Sequence, residues 1–306
     1  MIDRPSEQRH PLTALVLLVA IAFAGLVVFI SLAQIIGSLI YGLDILSALN
    51  TGTATLEMQK LFIVCYSIGT FVIPPLVYAR VRSKTPFAYL DLKIPKPFSL
   101  FLLALAIMIC AKPFLEWTIY LNQQMKLPSF FSSIENWMKY KEIEAEILTK
   151  QLLVMSSIEG LVINLIIIAV IPAVGEELIF RGCIQKIFTT WTNNYHLGIW
   201  IAAILFSAIH FQFYGFIPRM LLGALFGYLF FFSKSIWIPI LAHFFNNASA
   251  VIAAYILQRE GKSLDNLTKP ESQQWYLVIL SVIFTALVFW VFERLSLRNK
   301  KVLNER

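Results

Sequence analysis

Charge is what this sequence has least of. Asp, Glu, Lys and Arg make up 14% of its 306 residues, against 58% hydrophobic residues. A soluble domain carries about a quarter charged residues, so the composition excludes an ordinary water-soluble globule and leaves a polytopic membrane protein. Cysteine is nearly absent too: Cys65 and Cys110 fall within apolar runs, and Cys183 follows an acidic pair. An odd count of 3 without metal-type spacing excludes both a disulfide framework and a Cys zinc site. The sequence has no internal repeat, no low-complexity tract and no composition shift that would mark a second domain, so residues 1–306 read as a single membrane domain. The net charge of +7 forms no patch with interleaved aromatics. Its basic residues lie between apolar runs, as in basic cytoplasmic loops, so membrane lipid and not nucleic acid is the expected partner. Nothing in the sequence bears on oligomeric state.

Long apolar runs fill the space that charge leaves. A bilayer crossing takes about 20 residues. Runs of that kind lie near 12–36, 60–79, 98–121, 158–187, 197–213, 218–233, 236–257 and 274–293, the fifth and sixth being short. The first is too long for a signal-peptide core and reads as an uncleaved helix. The expectation is an all-α, polytopic transmembrane helical bundle of about eight spans. Arg4 and Arg9 precede the first run, Arg80, Arg82, Lys84, Lys93 and Lys96 separate the second from the third, and Arg294 and Arg298 follow the last. Under the positive-inside rule this distribution predicts N-in and C-in. The long connection 122–157 holds Pro128, Phe130, Phe131, Trp137, Tyr140 and the charged stretch 139–150, and reads as an amphipathic helix on the outer surface or an extension of the fourth span.

The polar residues inside the runs carry the chemistry. An ionisable group at membrane depth costs about 2.5–3.5 kcal/mol on insertion scales, so it is rare there and usually functional. Glu176 and Glu177 follow a charge-free stretch from Leu161 to Ala173. Residues four apart share a helix face, so Glu177 aligns with Arg181 and that pair can neutralise itself. Glu176 has no such partner on its own helix and is free to act as a general base. The plainer reading is that both glutamates end a helix near the inner surface. In the fifth run Phe206 and His210 stand four apart, and a lone histidine on an apolar face is more often a hydrogen-bonded core residue. In the seventh, His243 and Asn247 share a face, where an imidazole and an amide can serve one bound atom as an oxyanion site requires. Asn246 points elsewhere, towards packing. At ~1.5 Å per residue Glu176 falls ~26 Å from the outer start of its span, in the inner half of the membrane.

Together, Glu176-Glu177-x-x-x-Arg181, Phe206-x-x-x-His210 and His243-x-x-x-Asn247 resemble the three-motif signature of the CPBP (Abi) family, the CAAX prenyl proteases and bacteriocin-processing enzymes related to the type II prenyl-protein endopeptidase. The resemblance covers about residues 161–254, within a catalytic core of approximately 158–257. It implies an intramembrane endopeptidase that hydrolyses a peptide bond of a prenylated or membrane-associated peptide or protein. By that analogy Glu176 and His210 activate water, His243 and Asn247 stabilise the oxyanion, and Glu177, Arg181 and Phe206 support them. The implied location is a multi-pass position in a prokaryotic cytoplasmic membrane. No His-Glu-x-x-His motif is present, so the expectation is a metal-free enzyme without a cofactor; the alternative is zinc held by Glu176, His210 and His243. Outside catalysis, a bacteriocin-immunity or scaffold protein of the same fold remains open. A proton-coupled transporter would show related halves or interrupted helices, and a bis-histidine haem protein would need His210 and His243 across one slot.

Overall fold

A bilayer offers no water to unpaired backbone groups, so apolar runs close their hydrogen bonds internally as helices. The computed structural model describes residues 10–42, 44–268 and 273–304, and these contain helices and no strand. Arg4 and Arg9, which carried part of the orientation argument, lie outside the described residues. In chain order the main helices are α1 (Pro11–Tyr41), α2 (Leu56–Arg82), α3 (Ser99–Gln123), α4 (Ser132–Leu152), α5 (Ile158–Thr192), α6 (Tyr195–Ala208), α7 (Phe216–Ser233), α8 (Trp237–Arg259) and α9 (Trp275–Asn304). All but α4 and α6 are long and apolar enough to cross a membrane. Their outward faces are greasy, as lipid requires: Phe23 and Leu39 on α1 are 66% and 81% exposed.

Cross-links between helices fix the order of traverse. Ser281 on α9 donates to the Cys110 carbonyl at 2.5 Å, and Phe292 packs in one buried cluster with Leu100, so α9 runs antiparallel to α3. Tyr195 stacks on Phe231 (centroids 4.0 Å apart), while Ser207 donates to the Phe216 carbonyl at 2.7 Å, so α6 runs antiparallel to α7. One end of the bundle gathers the basic connectors: Lys186 pairs with Asp91 at 2.8 Å, and Ser235 donates to the Lys93 carbonyl at 2.6 Å. His10 packs on Trp191 at that same end, and α9 finishes there, so the first and last described segments lie together. At the other end Asn122 bonds the Phe213 carbonyl and the Ile217 amide, at 3.2 and 2.8 Å.

Two expectations need correction, and a third is decided between its two alternatives. The fifth run ends at Ala208, not 213, giving a helix of 14 residues or ~21 Å. The chain turns through Ile209–Phe211 with Phe211 in the left-handed region (φ 53°), and the Ser207 bond to Phe216 pins the turn. The fourth run continues to Thr192 before Asn193 stops it in the left-handed region, which puts Glu176 at the middle of a 35-residue helix. The 122–157 connection forms a helix of its own, α4, separated from α5 by the non-helical Val154–Ser157 stretch.

Close approach of α1 and α2 depends on glycine: a Cβ on Gly25 would lie 2.2 Å from the Gly69 carbonyl oxygen. Small residues let membrane helices meet in this way. The same helix α2 then packs on α5 at Gly175, where a Cβ would meet Phe71 Cβ at 2.9 Å. That contact sits immediately before Glu176.

Candidate active site

Two glutamates adjacent on α5 face different surroundings because neighbours on a helix diverge by about 100°. Glu177 is fully buried, and its Oε1 accepts from Arg181 Nη1 and from His243 Nδ1, each at 2.9 Å. Arg181, itself 1% exposed, uses Nη2 to reach the Gly223 carbonyl on α7 at 2.8 Å. Its guanidinium lies over the rings of Phe206 and Phe226, 4.8 and 5.4 Å from their centroids. One buried ion pair therefore ties α5 to α6, α7 and α8. Among the described residues neither Glu177 Oε2 nor Arg181 Nε has a hydrogen-bond partner, so one acceptor and one donor of the network stay unsatisfied.

Glu176 turns to an open side. It makes no hydrogen bond among the described residues, and its Oε2 lies 3.9 Å from His243 Nε2. The His243 ring is stacked on Phe226 with 5.2 Å between centroids and is pinned by Glu177 through Nδ1, which leaves Nε2 for the cavity. His210 sits in the turn beyond α6, not within a helix. Its Nδ1 lies 2.8 Å from the Phe206 carbonyl, and Phe206 packs edge-on to the imidazole. With Nδ1–H donating there, Nε2 of the neutral ring is an acceptor.

Asn247 on α8 donates to the Ile168 carbonyl at 3.2 Å. In an unbroken α-helix that carbonyl would accept from residue 172, which is Pro172 and has no N–H. Asn246 does not point away as the helical wheel suggested. It lines the same cavity and donates to Asn247 Oδ1 at 3.1 Å, because the cavity is wide enough to take two neighbouring positions of α8.

Glu176, Phe206, His210, His243, Asn246 and Asn247 all line one cavity of about 360 Å³. Leu115, Ile119 and Gln123, successive turns of α3, form another wall about 12 Å long that leads to the α4 end of the bundle. Glu142 of α4 stands at the mouth and accepts from the Tyr214 amide at 3.2 Å. Burial raises the Glu142 carboxyl above its ordinary range, partly offset by that amide. Sequence reasoning missed Glu142 and also Arg219, which lines the cavity from α7. For Arg219 the signal was present: it is an isolated cation within an apolar run.

Among the described residues no three His, Cys, Asp or Glu side chains stand close enough together to hold one ion. His243 Nδ1 is held by Glu177, which leaves Nε2 as the open nitrogen of that ring.

Residues 158–249, the stretch that carries Glu176, His210, His243 and Asn247, match a family described as "Type II CAAX prenyl endopeptidase Rce1-like". The chain is 27% identical over 126 residues to "Putative membrane peptidase YdiL" of Bacillus subtilis (strain 168), covering 41% of this chain and 49% of that protein. It is 28% identical over 89 residues to "Uncharacterized protein YpbD" of the same organism, 28% of this chain and 42% of that one. The chain thus spans less than half the length of these curated relatives. No solved structure matches it.

Proposed function

We propose, from the match of residues 158–249 to the CAAX-type membrane proteases, that this integral membrane protein is an intramembrane endopeptidase using a side-chain-activated water and no metal. The observation that carries the reading is Glu176: a carboxylate without a hydrogen-bond partner among the described residues, sharing a cavity with two imidazoles and two amides. A buried charge left unsatisfied costs stability, and such costs concentrate where function needs them.

In the proposed reaction a water lies between Glu176 and the His210 Nε2 lone pair. Glu176 takes one proton as the water oxygen bonds the carbonyl carbon. The oxyanion receives hydrogen bonds from the Asn246 and Asn247 amides, and from His243 Nε2 when that nitrogen carries a proton. Collapse breaks the C–N bond, and Glu176 returns the proton to the departing amine. Effective general-base and oxyanion groups each contribute about 10²–10³-fold in such systems. Glu177 and Arg181 position His243 without touching the substrate.

The substrate is read as a membrane-associated peptide. Leu115, Ile119 and Leu222 give the cavity an apolar wall for its side chains. A larger, apolar groove of about 690 Å³ on the flank of α5 and α8, lined by Phe98, Phe101, Trp237 and Phe244, has room for a prenyl chain. It shares no lining residue with the cavity, so a peptide can reach Glu176 without being prenylated. The basic end faces the cytoplasm in this reading, with the cavity opening outward, and the Bacillus relatives support a prokaryotic cytoplasmic membrane.

Purified protein is incubated with a prenylated CAAX peptide and a panel of short hydrophobic peptides, with and without chelator. Cleavage by wild type in chelator, and none by Glu176→Gln, is the expected result. Undiminished cleavage by Glu176→Gln sinks the assignment, and loss of activity in chelator restores zinc. Membrane-impermeant thiol reagents applied to intact cells test the orientation: Gln123→Cys should react and Lys234→Cys should not.

A further inference from the structure

We infer that Arg219 is a recognition residue for a substrate carboxylate, carried either by the peptide's C-terminus or by an acidic side chain beside the cleaved bond. The inference rests on the peptidase reading of the same cavity and names the chemistry of what enters it.

The two arginines that face the site differ in how their charge is matched. Arg181 is neutralised by Glu177 at 2.9 Å. Arg219 forms no ion pair among the described residues: its Nη2 donates to Gln212 Oε1 at 2.6 Å and its Nη1 to the Gln212 carbonyl at 3.4 Å, both neutral acceptors. A guanidinium has five N–H donors, so most of its capacity stays open. The Glu142 and Glu176 carboxylates line the same cavity but stand outside ion-pair range of it. Gln212 thus aims the group without discharging it.

Position and space agree with a ligand. Arg219 lies one turn, ~6 Å, before Gly223 on α7, whose carbonyl takes Arg181. That places it between the Glu177 network and the mouth formed by Gln123, Glu142 and Tyr214. Glycine at 215 leaves room beside it, since a Cβ there would come within 3.2 Å of Nη2. Within an apolar helix such a cation is costly to insert, and it is retained where it meets water or a counter-charge. Carboxylate is the ligand whose geometry suits a guanidinium fork.

The test separates binding from turnover. Full-length Glu176→Gln protein in nanodiscs is titrated with one labelled hydrophobic peptide in three forms: free C-terminal acid, C-terminal amide, and amide with an internal Glu. Loss of a charge-assisted pair weakens binding roughly 10- to 100-fold. The form that carries the recognised carboxylate should therefore bind more tightly than the plain amide by that factor. Adding Arg219→Gln should erase the difference, and Arg219→Lys should keep part of it. If only the internal-Glu amide binds more tightly than the plain amide, the recognised group is a side chain; if only the free acid does, the group is the C-terminus. Equal binding of acid and amides, no binding of any form, or equal weakening of all three by Arg219→Gln overturns the inference. A preference for carboxylate that depends on Arg219, with no cleavage of any form by wild type, upholds the site and refutes the peptidase reading alone.

Discussion

Replacing Glu177 by glutamine keeps the shape of the side chain and removes its charge. Oε1 can still accept from Arg181 and His243, yet the Arg181 guanidinium, 1% exposed, loses the carboxylate it pairs with among the described residues. Breaking a buried pair from one side costs about 3–5 kcal/mol. At about 2 °C per kcal/mol for a chain of this size, the unfolding transition should fall by roughly 6–10 °C. Arg181→Met should cost a similar amount by stranding the carboxylate. With both charges gone, the double variant should cost less than the sum of the two single ones, since contacting residues couple by about 0.5–3 kcal/mol. A thiol-reactive dye reads the transition in detergent: Cys183 is fully buried two residues beyond Arg181, and Cys110 is removed as Cys110→Ser to lower the background. Strict additivity of the two shifts in the double variant, or a Glu177→Gln shift below about 1 °C, would falsify the claim that this pair holds the four helices together.

Asn246→Ala and Asn247→Ala should each lower kcat, by about 10²–10³-fold for a full oxyanion donor. Only Asn247→Ala should also lower Tm, because the Ile168 carbonyl then loses its donor. Glu142, whose folded pKa is raised by burial, stabilises the mouth fully below the ordinary glutamate value near ~4.3, and that contribution is lost as pH rises through the raised value. Hydrogen-exchange protection of the Tyr214 amide, corrected for intrinsic rate, should therefore fall across that window, and Glu142→Gln should flatten the profile. Gly175→Ala forces a methyl against Phe71 and Val72 and should cost about 1–3 kcal/mol in denaturation measurements, with turnover reduced because Glu176 is the next residue.

Local rules in the sequence reached some parts of this molecule and not others. Apolar runs located the membrane helices because the bilayer leaves the backbone no other solution. The Glu177–Arg181 bond could be read from a four-residue separation, since it lies within one turn. His210 could not be placed, because the end of α6 depends on a tertiary bond from Ser207 to Phe216. Glu142 stands at the mouth only because α4 folds back over the Phe213–Gly215 turn, and no local pattern encodes that. Arg219 announced itself as a lone cation in an apolar run, but its relation to Glu176 needed α7 packed beside α5. A helical wheel also fails across α5. The π-turns at Leu165–Val170 and Phe180–Ile184 each place an extra residue in a turn and rotate the rest of the helix about its axis.

Those irregularities build the site. Pro172 withdraws an amide from the Ile168 carbonyl, and its place is taken from another helix, by Asn247. A second link, Glu177 to His243, joins the same two helices nearer the basic end. Two links at different heights fix both the rotation and the rise of α8 against α5, which one contact could not do. The separation of 3.9 Å between Glu176 Oε2 and His243 Nε2 results from that pair of links, since Glu176 itself bonds to nothing among the described residues. A regular α5 would have satisfied its own carbonyls and left α8 free to turn. The break in the helix is therefore the means by which α5 holds Glu176 at a fixed distance from His243 on α8.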